Sequence, residues 1–206
     1  MKTEILSTKL PHAIPRAVSV LNNGGLVAFP TDTVYGLAAA ICDVTAIERL
    51  FEVKERDQIK AIAVLMSSPK DLAQVAVNPG QSAIKLAEHF WPGPLTLVFS
   101  KHSDIPDLLS PLPTIGVRVP DHPNALALMD ITGPLAVTSA NLSGGANTCT
   151  ADEVLAQLDG RVDLILDGGS TPGGHPSTVV DCTSTDISIL REGPISWAEI
   201  EMAISF

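Results

Sequence analysis

At 206 residues and a net charge of −10, the chain is long enough to bury its own core and too acidic for broad, salt-driven adhesion to a phosphate backbone. An apolar share of 45% with only 4% aromatic residues favours an enzyme-like globule over a disordered adaptor and predicts a core of Val, Ile, Leu and Ala. No run of about 18 uncharged residues is apolar enough to span a bilayer, and the first 16 residues hold no apolar stretch of signal length, so a cytoplasmic protein without a membrane partner is expected.

In chain order, Ile14, Ala17, Val18 and Leu21 fall at helical spacing, and Gly24-Gly25 stops that helix. LVAF, residues 26–29, follows as a short buried strand. Asp43 or Thr45 can cap a second helix with Ile47, Leu50 and Phe51 on one face, leaving Lys54 and Arg56 at its C-terminal end. AIAVLM, residues 61–66, has strand length. Ser68-Pro69-Lys70-Asp71 opens a helix with Leu72, Val75 and Ala76 on its apolar side, and residues 81–90 form another, ended by Trp91-Pro92-Gly93-Pro94.

LTLVF (95–99) and IGVRV (115–119) are expected strands, followed by a helix over 124–131. PLAVT (134–138), a helix capped by Thr150 and Glu153, and DLIL (163–166) repeat strand, helix, strand. TVVDC (178–182) and ISILR (187–191) precede a short last helix opened by Ser196 and Glu199. Strand and helix alternation implies an α/β domain, and the adjacent strands near the end imply some antiparallel pairing. The expectation is a twisted, mixed parallel and antiparallel sheet with flanking helices in one domain over 1–206.

Several chemistries have no motif here. There is no P-loop, dinucleotide fingerprint, H-E-x-x-H or G-x-S-x-G. Cys42, Cys149 and Cys182 are odd in number and far apart, which indicates reduced, mostly buried thiols and neither a disulfide framework nor a zinc site. The glycine-rich stretch 168–175 lacks a following helix and reads as a flexible turn. No protein-held metal site is expected from the scattered histidines.

Positive charge beside small hydroxyl and amide groups at strand ends stands out instead. Lys54, Arg56 and Lys60 cluster within seven residues in a chain with 13 Lys and Arg, Arg118 interrupts an apolar strand, and Arg191 ends another. The strand PLAVT opens into SANLSG, residues 139–144, built to hold something by hydrogen bonds. Such groups suit carboxylate, bicarbonate and phosphate, with Arg offering two parallel donors.

Seven strings in order carry a resemblance: FPTDTVYGL (29–37), KER (54–56), WPGPLTLV (91–98), VRVPDHP (117–123), TSANLSG (138–144), STVVD (177–181) and LREG (190–193). Over about residues 12–195 the chain resembles the YrdC/TsaC family of threonylcarbamoyl-AMP synthases, in its short form. The resemblance implies a YrdC-like fold with a concave basic cavity. It also implies a nucleotidyltransferase that makes L-threonylcarbamoyl-AMP and pyrophosphate from L-threonine, bicarbonate or CO₂, and ATP, with Mg²⁺ on the triphosphate. The product would pass to tRNA-modification proteins and end on the adenosine beside the anticodon of tRNA.

Carried over, Thr33 contacts threonine or its carbamate, Lys54 and Arg56 face bicarbonate and the phosphates as catalytic groups, and Arg118 takes the threonine carboxylate with help from Ser177. Ser139 and Asn141 lie between threonine and nucleotide, with Thr114 and Arg191 on the nucleotide side. Asp32 and Tyr35 are expected to shape a turn, Trp91 to anchor the core, and Ser143-Gly144 to allow a tight backbone course. Two departures from the pattern of many members stand out: Asp57 follows Arg56 in place of proline, and Leu65 stands at the histidine position, which bears on amino-acid selectivity. Competing readings are a non-catalytic RNA- or nucleotide-binding module of the same fold, and a related carbamoyl-adenylate chemistry found in much longer hydrogenase-maturation chains.

Overall fold

The computed structural model describes residues 2–184 and 186–205. Among them, eleven strands form one mixed sheet: β1 (Glu4–Ser7), β2 (Val27–Phe29), β3 (Gly36–Ala40), β4 (Ala63–Leu65), β5 (Ala76–Val77), β6 (Leu95–Lys101), β7 (Thr114–Arg118), β8 (Leu135–Ser139), β9 (Leu164–Asp167), β10 (Thr178–Asp181) and β11 (Ser188–Arg191). Their order is β1-β9-β2-β3-β8-β4-β7-β6-β10-β11, with β5 added to β6. Pairs β1–β9, β9–β2, β4–β7 and β6–β10 are parallel. Pairs β2–β3, β3–β8, β8–β4, β7–β6 and β10–β11 are antiparallel.

Among the described residues six α-helices flank it: α1 (Ala13–Asn22), α2 (Val44–Val53), α3 (Gln81–Phe90), α4 (Pro123–Thr132), α5 (Ala151–Leu158) and α6 (Trp197–Ser205). Their ends follow from local chemistry. The Asp43 side chain accepts the Ala46 N–H at 3.0 Å and starts α2. A reciprocal capping box of Thr150 and Glu153 starts α5. Gly133, at φ 74°, stops α4 in a conformation that strains residues with a Cβ.

The two sheet faces are covered unequally. Buried residues of α2, α3, α5 and α6, among them Leu50, Leu86, Val154 and Ile200, pack with Leu37, Val64, Leu97, Val117 and Val180 in the larger core. On the opposite face, Ala17 and Leu21 of α1 and Leu128 and Met129 of α4 pack with Val27, Phe29, Ala38, Val137 and Leu164. That second core ends at Leu65 of β4. The stretch of this face formed by β7, β6, β10 and β11 carries no helix of that core, and the cavity described below lies there. Trp91 is a core anchor as expected, its indole N–H donating to the Leu95 carbonyl at 2.7 Å and its ring edge-on to Phe99.

Four differences from the sequence reading have physical reasons. Strand β3 (GLAAA) was not expected, since glycine and alanine lack the branching that marks strands; pairing on both sides, to β2 and β8, makes it a central strand. The run 61–66 is a strand only over Ala63–Leu65. Residues 69–74 form a 3₁₀ helix and not an α-helix, because Ala76 already pairs with β6. The thiols are not mostly buried: Cys42 is exposed, Cys149 half-buried and Cys182 buried, where burial pushes its thiol up to about 12.

Candidate active site

Side chains alternate across a strand. On β7, Ile115 and Val117 enter the larger core, so Thr114, Gly116 and Arg118 point to the other face. Thr96 and Val98 of β6, Ala63 and Leu65 of β4, Val137 and Ser139 of β8 and Val179 of β10 share that face with them and line a cavity of about 370 Å³. The register sets neighbours: Leu65 lies beside Arg118, Val98 beside Gly116, and Thr96 beside Val179. At Gly116 a Cβ would stand 3.1 Å from the Thr96 methyl, so glycine keeps the floor low at its centre.

Arg118 is held from three sides. Its Nε donates to the Gly93 carbonyl at 2.9 Å, one terminal nitrogen to Thr33 Oγ1 at 3.0 Å, and the other to the Asp32 carboxylate. Burial pushes its pKa down from the usual value, and Asp32 opposes that shift. Each terminal nitrogen keeps one further N–H, so a rigid, cationic, two-donor edge remains for a ligand. Thr33 belongs to this corner. So does Thr31, linked to the cation through Thr33, whose Oγ1 lies 3.0 Å from its own.

Two further guanidinium groups line the cavity. Arg56 reaches the carbonyls of Lys60 and Ala61. Arg191 donates to the Ser177 carbonyl at 2.8 Å and to Ser177 Oγ at 3.1 Å, and Ser177 Oγ lies 2.7 Å from Thr96 Oγ1. Burial lowers the pKa of both arginines, and for Arg56 the nearby charge of Arg191 lowers it further. Among the described residues, no Asp or Glu lines the cavity. Like charges brought together and left uncompensated make a receptor for an anion with several charges. Thr114 and Ser139 also line it.

Lys54 and Asn141 are placed differently from the residues above. Lys54 was expected to face bicarbonate and phosphate, yet it is fully buried outside the cavity lining, and its ammonium donates to the carbonyls of Ser139 and Asn141. As the C-cap of α2 it projects beneath the SANLSG turn, whose orphan carbonyls need donors. Burial first, and Arg56 second, push its pKa down to about 7. Asn141 also lies off the lining: its amide donates to the Leu142 and Gly145 carbonyls at 2.9 Å each, closing the turn, while its Oδ1 is buried with no partner among the described residues. Gly144 sits at φ 82°, as a tight course requires.

Residues 19–193 match the Sua5/YciO/YrdC family, described as telomere recombination. The chain belongs to this family. It is 40% identical over 190 residues to threonylcarbamoyl-AMP synthase of Pyrococcus abyssi, covering 91% of this chain and 56% of that protein. To the Bacillus subtilis synthase it is 39% identical, covering 98% of this chain and 59% of the relative. The structure of P. abyssi Sua5 complexed with L-threonine superposes with a TM-score of 0.94 at 37% identity, over 99% of this chain and 61% of that one. The chain thus spans less than two thirds of the length of these relatives.

In this Sua5/YciO/YrdC chain, sequence reasoning missed Thr31, Thr96, Ser110 and Thr138, all of which line the cavity. For Thr96 a signal existed, a hydroxyl at an alternating position of the apolar run LTLVF. Tyr35 does shape a turn, but at long range: its hydroxyl donates to the Gly169 carbonyl at 2.7 Å. Stretch 168–175 is therefore not a loose turn. Thr171 N–H bonds the Cys149 carbonyl at 2.8 Å and Gly174 N–H the Thr33 carbonyl at 3.1 Å, while a Cβ on Gly173 would stand 2.9 Å from that same carbonyl oxygen.

Proposed function

We propose that the chain joins L-threonine, bicarbonate or CO₂, and ATP into L-threonylcarbamoyl-AMP and pyrophosphate, for modification of the adenosine beside the tRNA anticodon. The observation that carries this reading is a cavity lined by Arg56, Arg118 and Arg191 and by no carboxylate, in a chain of net charge −10. Relatives named for this activity, and one solved with L-threonine, support it.

The threonine amine adds to CO₂ and loses a proton, giving a carbamate. A carbamate oxygen then attacks the α-phosphorus of ATP, and pyrophosphate departs with the electrons of the broken P–O bond. Such a reaction needs anions aligned and their charge neutralised more than it needs a protein nucleophile. Arg118, with Ser177, takes the threonine carboxylate; Thr33 meets the amine or carbamate; Arg56, Thr114 and Arg191 face the nucleotide; Ser139 lies between. Lys54 and Asn141 act by fixing the backbone that presents Ser139. Magnesium enters with ATP as part of the substrate, on phosphate oxygens and water. Proteins that modify tRNA would take the product.

Pyrophosphate release, measured with threonine, with serine in its place and with neither, tests the reading. Release that needs threonine and bicarbonate together is expected; no release with all three substrates present overturns it.

A further inference from the structure

The corner around Arg118 contains a chain of hydroxyl groups whose proton directions are determined. Thr31 Oγ1 lies 2.6 Å from the Val34 carbonyl, which can only accept, so the single Thr31 hydroxyl proton goes there. Thr31 Oγ1 also accepts the Thr33 N–H at 3.2 Å and lies 3.0 Å from Thr33 Oγ1. With the Thr31 proton committed, this last contact has Thr33 as donor. Thr33 Oγ1 in turn accepts from the Arg118 guanidinium at 3.0 Å. The order is Arg118 to Thr33 to Thr31 to the Val34 carbonyl, every bond pointing the same way.

One consequence concerns what Thr33 offers a ligand. A hydroxyl has one proton and two lone pairs. The Thr33 proton faces Thr31 and one lone pair faces Arg118, which leaves one lone pair on a residue that lines the cavity. Thr33 therefore accepts and does not donate. Beside it stands the donor edge of Arg118. An acceptor next to a two-donor cation matches the two ends of an α-amino acid, an N–H donor one bond away from the carbon that bears a carboxylate.

We infer that Thr31 is a positioning residue that fixes Thr33 as a hydrogen-bond acceptor for the α-amine of the substrate, so that the corner selects α-amino acids over acids lacking the amine. The inference rests on the amino-acid reading proposed above. Removing the Thr31 hydroxyl frees the Thr33 proton to turn into the cavity, where it faces the amine donor to donor.

Binding measured by calorimetry on the full chain tests this, with L-threonine and with 3-hydroxybutanoate, which keeps the carboxylate and β-hydroxyl and lacks the amine. The wild-type chain is expected to prefer threonine. Thr31→Val is expected to weaken threonine binding about tenfold, the affinity equivalent of roughly one hydrogen bond, and to leave 3-hydroxybutanoate unchanged. Thr31→Ser, which retains the hydroxyl, restores the wild-type ratio. Equal loss of both ligands in Thr31→Val, or no loss of either, overturns the positioning role while threonine binding by the wild type still stands. Equal affinity of the wild type for the two compounds overturns it without any variant. A wild-type chain that binds neither overturns the amino-acid reading and this inference with it.

Discussion

The Asp32 carboxylate meets the Arg118 guanidinium with the two side chains only 12% and 6% exposed. Removing one partner of such a pair leaves a buried charge uncompensated, at a cost of about 3–5 kcal/mol. Asp32→Ala is expected to lower unfolding stability by that order in urea titration. A loss below about 1 kcal/mol would mean the pair behaves like an exposed one.

Arg118→Ala should weaken threonine binding far more than ATP binding, by about ten- to a hundredfold, because a carboxylate loses a two-donor partner. Calorimetry with each ligand alone separates the two. Equal losses, or none, would remove Arg118 from the carboxylate.

Arg191 lowers the pKa of Arg56 only because the fold holds the two guanidinium groups together. Relieving that repulsion with Arg56→Gln should raise the melting temperature of the unliganded chain while weakening ATP binding at least tenfold. A variant that melts lower and binds ATP unchanged contradicts this arrangement.

For Lys54 the pH dependence has a definite sign. Its folded pKa of about 7 lies below the ordinary 10.5. Between those values the unfolded chain holds a proton that the folded chain has released, so stability rises with pH, by at most about 1.4 kcal/mol per unit, and is lost as pH falls toward 7. Lys54→Met should abolish that rise. Unfolding of both proteins from pH 7 to 9.5 measures the difference; parallel curves would show that Lys54 stays charged throughout.

What the sequence made legible were features with a local cause. Asp43 and the Thr150–Glu153 pair announce their helices because capping is a contact across three residues. Arg118 announces itself because a cation inside an apolar strand requires an anion. Lys54 did not, since its nearness to Arg56 in sequence says nothing about direction: the C-cap geometry of α2 turns it under the SANLSG turn. Strand β3 was hidden for the converse reason. Its alanines are placed between the preceding strand β2 and the sequence-distant β8, and glycine and alanine carry no strand signal of their own. The determined proton order from Arg118 to Val34 likewise needs distances that spacing cannot supply.

A cavity floored by a pleated sheet behaves as a pegboard. Arg118 on β7 and Arg191 on β11 are separated by three inter-strand steps, through β6 and β10, or roughly 14 Å at the ordinary spacing. Backbone hydrogen bonding sets that distance, and loop conformation does not. Exchanging one peg leaves the spacing of the others intact, so ligands of a different outline can be accommodated by new side chains on an unaltered board, and changes at its two ends should combine additively.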